Sequence, residues 1–403
     1  MVSPLPTRQS LLSHAGQTGG GAIGCCTAYY LTRHPHYDPQ KHIITVLEAS
    51  SLAGGASGKA GGCLAKWADP SFLGPASFDL HAQLAREHDG ENEWGYRRVH
   101  CADCDMVKSH HGGLKPAESH ADGDDEGSKD PSPPEELDWV NDDVLKWYHP
   151  LGDPSDSAQV HPYQFTTAMA RLACERSARI RIGKALRINH TQDNAVKSVT
   201  LRSPDGFDTE LLATDIIVAA GPWTPNILPN APIKGLKSHS IVIKPGRPIS
   251  PNVLFFDPGH VAQDDPEDTL EIYPRPDNSV YICGQTDYEL GLPGSTDDVK
   301  PDPGRCEKIF ESLGLVSEEL RKKGEITVKQ ACFRPVVAVE GRDPELGPLL
   351  GPTSVQGLIL AAGHNAWGIQ NAPISGKLIS ELIFDGKAIS ADISQLDPRE
   401  HLN

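Results

Sequence analysis

Hydrophobic and polar positions along the chain alternate with two different periods, and the change of period marks out the elements. Gly19-Gly20-Gly21-Ala22-Ile23-Gly24 is followed by small and apolar residues at Ala22, Cys25, Ala28, Tyr29 and Leu31. These fall on one face of a helix that Pro35 ends. Ile43-Ile44-Thr45-Val46-Leu47-Glu48 is a β-branched run of strand length that stops on an acid, and a glycine-serine loop, Gly54 to Gly62, comes next. The pattern predicts a helix from Phe78 to Glu87, a strand around Tyr96–His100 and a helix from Gln164 to Glu175. Ile180–Ile188, Ala195–Leu201 and Asp215–Ala220 read as strands. Residues 238–290 alternate short β-rich runs (Ser240–Ile243, Val253–Phe256, Leu270–Tyr273, Val280–Cys283) with Pro, Gly and Asp turns, the spacing of a largely antiparallel sheet. A helix at Arg305–Leu313, a strand at Ile326–Phe333, a buried strand at Leu358–Ala362 and a helix from about Ile374 to Phe384 complete the chain. No internal repeat is visible.

Composition changes this picture in three ways. The 403 residues suffice for two or three domains. The net charge of -17 disfavours nucleic acid and anionic lipid as partners. Apolar runs fall short of the roughly 18 residues of a membrane helix, and the first 16 residues lack the layout of a secretory signal. Nine acids against one base crowd residues 118–138, with three prolines, so this stretch is expected to be a mobile acidic insertion. The nine cysteines are odd in number and scattered, which fits free thiols in a reducing compartment, and a cytoplasmic location is expected. Cys101-Ala-Asp-Cys104 has zinc-like letters but no second CxxC, so no metal site is expected.

The candidate chemistry begins at Gly19-x-Gly21-x-x-Gly24. The first glycine allows a tight strand-to-helix turn, the second lets backbone approach a pyrophosphate, and the third lets helix pack on strand. The helix start supplies N–H groups and a positive dipole. Glu48, 24 residues beyond Gly24, suits a ribose diol. This is a dinucleotide site by helix, strand and acid together. A strand should precede Gly19, yet Ser13-His14-Ala15-Gly16-Gln17-Thr18 is polar: either the first strand is unusually polar or the amino terminus is atypical. The long Gly54–Gly62 loop argues for FAD over NAD, and it departs from a P-loop in spacing and in Ala60.

Six motifs then fall in order: the GGGAIG turn, the strand ending at Glu48, ASGKAGG at 56–62, DIIVAAGPWT at 215–224, ACFRPV at 331–336 and GHNAWGIQNAPISGK at 363–377. From about residue 19 to 390 the chain resembles FAD-dependent oxidoreductases of the D-amino-acid oxidase superfamily, such as glycine and sarcosine oxidases and a fungal cytosolic branch. The resemblance implies an α/β fold: a Rossmann-like FAD-binding domain (1–76, 150–236, 326–403) interrupted by an α+β substrate domain (77–149, 237–325) with a mainly antiparallel sheet. It implies that Gly19, Gly20, Gly21, Ala22, Ile23, Gly24, Glu48, Ala49, Ser57, Lys59, Ala60, Gly61 and Gly62 contact FAD. Backbone near Ala185 and Leu186 would meet the adenine, and Ala219, Ala220, Gly221 and Trp223 the ribose and pyrophosphate. Gly363, His364, Asn365, Trp367, Gly368 and Ile369 would lie along the isoalloxazine.

The chemistry so implied is oxidation of the CH–NH bond of a small amine or amino acid, with oxygen as acceptor. Arg334 stands where the family's amino-acid oxidases carry an arginine for the substrate carboxylate, which its forked donors suit. His364 is a candidate to bond flavin or substrate. Cys332 lies in a region where some relatives link flavin covalently, but its surroundings resemble the non-covalent branch. The alternative reading is a flavoprotein whose FAD is structural and whose role is partner binding or trafficking.

Overall fold

Residues 13–108, 114–116, 133–145, 148–257, 270–287, 291–343 and 346–402 are described by the computed structural model. Of the expected acidic insertion, 118–138, residues 118–132 lie outside them. At its far end Leu137 is buried in the core beside Trp139, so 133–138 is anchored rather than mobile. Asp138 in the same stretch pairs with Arg247 at 2.9 Å.

The chain divides into two units, one made of 1–54, 166–235 and 335–403, the other of 55–165 and 236–334. Residues 55–76, 150–165 and 326–334 thus cluster with the second unit, whereas the sequence placed them with the cofactor domain. Pairing explains the shift. Cys63–Ala65 pairs with Ser157–Gln159, which pairs with Arg97–Arg98, and Glu325–Val337 forms the edge of the large sheet of the second unit.

The first unit is built on a six-stranded sheet. Its order is Leu349–Pro352, Leu358–Ala362, Asp215–Val218, Ser13–Thr18, His42–Glu48, Arg179–Ile182. All neighbours are parallel except Leu349–Pro352. The order places the first strand at the centre with its successors on both sides, the doubly wound arrangement of dinucleotide folds. The polar segment Ser13–Thr18 is therefore a strand, and a central one. Its backbone is bonded along both edges, by Ile43–Leu47 and by Asp215–Val218, and that two-sided ladder outweighs weak strand propensity.

The helix Ala22–Leu31 is buried almost all round. The helix Gly368–Phe384 packs on it, and Gly376 makes the approach possible: a Cβ there would sit 2.6 Å from the backbone carbon of Cys26. This second helix starts six residues earlier than its sequence pattern suggested, with Pro373 inside it. The run Ile180–Ile188 is two strands, Arg179–Ile182 and Lys184–His190. The chain leaves the sheet at Gly183 and enters a three-stranded antiparallel sheet with Val196–Arg202 and Asp208–Leu212.

The second unit carries an eight-stranded, mostly antiparallel sheet, as the 238–290 pattern predicted. Ile233–Lys244, Val280–Asp287, Leu270–Pro274 and Asn252–Asp257 are successive antiparallel neighbours. One parallel pair joins Asn252–Asp257 to His100–Lys108. One face is apolar: Ile241, Ile243, Leu254, Ile272 and Ile282 are covered by Pro303–Val316 and Glu318–Lys323, whose Ile309, Leu313 and Leu320 are buried. The other face mixes Val242, Val253, Tyr273 and Tyr281 with polar Ser240, Cys283 and Glu271. An antiparallel sheet with one sealed and one polar face is suited to present side chains to a ligand.

Candidate functional site

In the first unit the parallel strands all end on one edge. Thr18 pairs with Leu47 and with Val218, and Val218 pairs with Leu360. The segments that follow these strands are the ones the sequence singled out: Gly19–Gly24, Glu48–Ala49, Ala219–Trp223 and Gly363–Ile369. The strand order reverses between Ser13–Thr18 and Asp215–Val218, and such a switch point is where open α/β sheets bind ligands.

The turn at Gly19 shows why only glycine serves there. Its φ is 118°, and a Cβ would lie 2.2 Å from the Ala219 carbonyl oxygen, so the two loops flanking the switch point touch. The Gly19 N–H donates to the Leu47 carbonyl at 2.8 Å. Gly21 caps the helix with no side-chain bond, and no acid occupies the first turn. The helix start is thus left open to an anion. Glu48 holds the turn from below. Its Oε2 accepts from the Gly20 N–H at 2.7 Å and its Oε1 from the Ser50 N–H at 3.0 Å. Each oxygen keeps lone pairs for a ribose hydroxyl. Ala49 is exposed. Ala220 leads into a 3-10 turn, Gly221–Asn226, that contains Trp223. Ala185 and Leu186 lie where the Lys184–His190 strand is irregular, its register shifting between Ala185 and Arg187.

His364 is 4% exposed, and its Nε2 lies 3.0 Å from the Ser375 hydroxyl. Burial pushes its pKa down to about 3, so the ring is neutral. The residue caps the 3-10 turn Asn365–Trp367, which runs into the helix that begins at Gly368 and Ile369. Its backbone pairs with Val336 in a single antiparallel bridge, and Gly363, at φ 93°, packs on Val337.

In the second unit the loop after residue 55 is gathered onto the large sheet. Lys59 Nζ donates to the Ala331 carbonyl at 3.1 Å. Tyr281 Oη donates to the Lys59 carbonyl at 2.8 Å, and Arg275 Nη2 to the Ala60 carbonyl at 3.0 Å. A Cβ on Gly61 would strike the Tyr273 ring at 2.5 Å, and the Val160 N–H donates to the Gly62 carbonyl. Ser57 lies in the short helix Ala56–Lys59. Arg334 stands on the Glu325–Val337 strand, half-buried, with Nε 3.0 Å from the Ser238 hydroxyl. Cys332, two residues before it, is buried, and burial pushes its thiol up.

The structure therefore gathers the Gly19–Gly24, Glu48, Ala219–Trp223 and Gly363–Ile369 segments in one unit, and Ser57–Gly62 with Ala331–Arg334 in the other. Sequence reasoning passed over Tyr273, Arg275 and Tyr281. The signal available was two aromatics inside β runs and a charge, Arg275, just after one of them; the contacts of Arg275 and Tyr281 to the loop span 215 and 222 positions.

The residues fit a flavin dinucleotide on structural grounds: an uncapped helix start at the switch point, a glycine turn that leaves no room for a Cβ, and a carboxylate one strand away. Residues 18–382 match the family described as FAD dependent oxidoreductase. The chain is 32% identical to "Putative oxidoreductase TDA3" of Saccharomyces cerevisiae, across 96% of this chain and 94% of that protein. It is 32% identical to "Putative oxidoreductase C1F5.03c" of Schizosaccharomyces pombe, across 95% and 97%. Among solved structures, glycine oxidase from Geobacillus kaustophilus is similar in fold, with a TM-score of 0.71 at 17% identity over 97% of this chain and 100% of that one. Crevice, motif order and relatives agree: the chain belongs to the FAD-dependent oxidoreductases of the D-amino-acid oxidase family.

Proposed function

We propose that this FAD-dependent oxidoreductase oxidises the CH–NH bond of a small amine that carries a carboxylate, an amino acid in the simplest case, with dioxygen as acceptor. The observation that carries the reading is Arg334, whose guanidinium is braced by Ser238 on the polar side of the antiparallel sheet. A guanidinium presents its N–H donors in a fixed planar fork, which suits a carboxylate. The glycine oxidase likeness supports the class without specifying the substrate.

The first unit would act as the cofactor domain and the second as the substrate domain. Gly19–Gly24 and Ala219–Trp223 would hold the pyrophosphate and ribose, Glu48 and Ala49 the adenosine side, the backbone at Ala185 and Leu186 the adenine, and Gly363–Ile369 the ring system. Ser57, Lys59, Ala60, Gly61 and Gly62 belong to the same proposal. Bound FAD supplies a two-electron acceptor for hydride. The protein's own contribution is orientation, since Arg334 fixes one end of the substrate so that its C–H bond is presented repeatedly in one geometry. His364 is neutral and tied to Ser375, so it serves the shape of the turn and carries no charge at neutral pH. FAD binding is proposed to be non-covalent, because Cys332 is buried as a poor thiolate. All nine cysteines are free thiols, Cys63 and Cys101 included at 3.8 Å between sulfurs, which supports a reducing, cytoplasmic setting.

The test is anaerobic. Purified holoprotein is mixed with a panel of D- and L-amino acids and of amines without a carboxylate, and the flavin absorbance is followed. Bleaching by carboxylate-bearing amines supports the reading. A flavin that none of them bleaches overturns it in favour of a structural cofactor.

A further inference from the structure

The polar face of the large sheet carries an acid with no counter-charge. Glu271 lies on Leu270–Pro274, with Phe255 directly opposite on one neighbouring strand and Cys283 on the other. It is half-buried. Its Oε2 accepts from the Tyr273 hydroxyl and from the Cys283 thiol, the latter at 3.3 Å. Both donors stay neutral, since burial first and the Glu271 charge next push Tyr273 and Cys283 up. Among the described residues Oε1 accepts no bond, and no basic side chain pairs with the carboxylate. A carboxylate held half out of water without a cation is costly, and a cation brought by a ligand offsets that cost.

The same face carries a positive charge. Arg334 bonds Ser238; Ser240 on that strand is in register with Cys283, and Cys283 with Glu271. Two strands, Ile233–Lys244 and Val280–Asp287, separate the strand of Arg334 from that of Glu271. Three strand spacings make about 14 Å between the two backbones, part of it taken up by the side chains, each bonded to a residue of the next strand inward. The Cys283 thiol lies within the field of both, pushed up by Glu271 and down by Arg334. A guanidinium and a carboxylate set apart on one face suit a ligand with charges of both signs.

The reaction decides which positive group meets Glu271. The nitrogen of the bond to be oxidised must lose its extra proton before hydride leaves the adjacent carbon, because its lone pair drives the departure. A carboxylate beside an ammonium favours the charged form, so Glu271 at the reacting amine would oppose oxidation. At a second amine farther along the substrate it opposes nothing and fixes another end of the molecule.

We infer that Glu271 is a specificity-determining residue: it receives a positive group of the substrate distinct from the amine that is oxidised, so the preferred substrate is a basic amino acid with a second amino or guanidino group on its side chain. This rests on the proposed oxidation of carboxylate-bearing amines with Arg334 as their clamp.

The test measures anaerobic flavin bleaching and steady-state turnover of purified holoprotein with both enantiomers of lysine, ornithine and norleucine. Norleucine has a side chain of similar length to these without its charge. The parent is expected to favour lysine or ornithine over norleucine by about tenfold or more in kcat/KM, the size of one charge-assisted hydrogen bond. Glu271→Gln, which keeps the size and removes the charge, should bring that ratio toward one, chiefly through a raised KM for the basic substrate. Glu271→Asp should recover part of it. A ratio taken within one preparation is insensitive to partial misfolding, which lowers both rates together. A parent that turns over norleucine as well as lysine and ornithine would overturn the inference and leave amine oxidation standing. A Glu271→Gln protein that retains the parent's ratio would also overturn it. A yellow parent that no amino acid bleaches removes amine oxidation and the role of Glu271 together.

Discussion

At the residue scale the question is what each charged or titratable side chain is held against. Arg334 has its Nε engaged by Ser238, and the carboxylate clamp proposed for it makes a selective prediction. Arg334→Ala should raise KM for a carboxylate-bearing substrate by about 10- to 100-fold, the size of a lost charged hydrogen bond or two. Turnover of an amine that lacks the carboxylate should be unaffected. Steady-state kinetics on such a pair checks this, and an equal loss on both would assign Arg334 a structural role. Arg334→Lys should recover only part, since an ammonium lacks the planar fork.

At the element scale the first unit depends on two close approaches. One is the helix pair Ala22–Leu31 and Gly368–Phe384. Gly376→Leu would force a side chain where even a Cβ meets Cys26 backbone at 2.6 Å. The expected cost is on the order of 3 kcal/mol, the upper range for overpacking, read as a lowered midpoint in denaturant. The other is the Ser13–Thr18 strand, bonded on both edges. Gln17→Pro removes a donor from a central ladder, so purified protein should be poorly folded and colourless.

The same elements show how far the sequence could be read. Leu358–Ala362 is a run of five apolar residues between turn signals, and its boundaries in the structure are the ones its pattern predicted. Ser13–Thr18 was ambiguous because its place is decided by backbone partners 29 and about 200 positions away, which no local pattern reports. Gly183 splits the run Ile180–Ile188 where its N–H goes to the Glu48 carbonyl and the chain departs for another sheet. For the candidate site, glycine turns and helix starts are written locally and were legible. The Arg275 and Tyr281 contacts to the loop were not, since they arise only when distant strands pair.

At the scale of the whole molecule, two imidazoles withdrawn from water, His364 buried and His161 half-buried, set an acid limit. His161 and His364 have pKa values brought down from 6.5 to about 4 and about 3 by burial. Above pH 6.5 folded and unfolded chains are both neutral at these sites, and nothing is lost. As pH falls below 6.5 the unfolded chain takes up protons that the folded protein refuses, so stability declines toward pH 4. For His364 alone the loss between pH 6.5 and 4 is on the order of 3 kcal/mol. Denaturant midpoints measured at pH 7 and pH 4.5 check this. His364→Asn should flatten the dependence, and an unchanged slope would show that the ring takes up its proton without cost.

The order of strands in the first sheet has a consequence for how the protein is made. Its members come from residues 13–18, 42–48, 179–182, 215–218 and 349–362, and the helix that covers Ala22–Leu31 ends at Phe384. A ribosome delivers the amino-terminal half of this layer long before the rest. Until Gly368–Phe384 emerges, the first helix has an uncovered apolar flank.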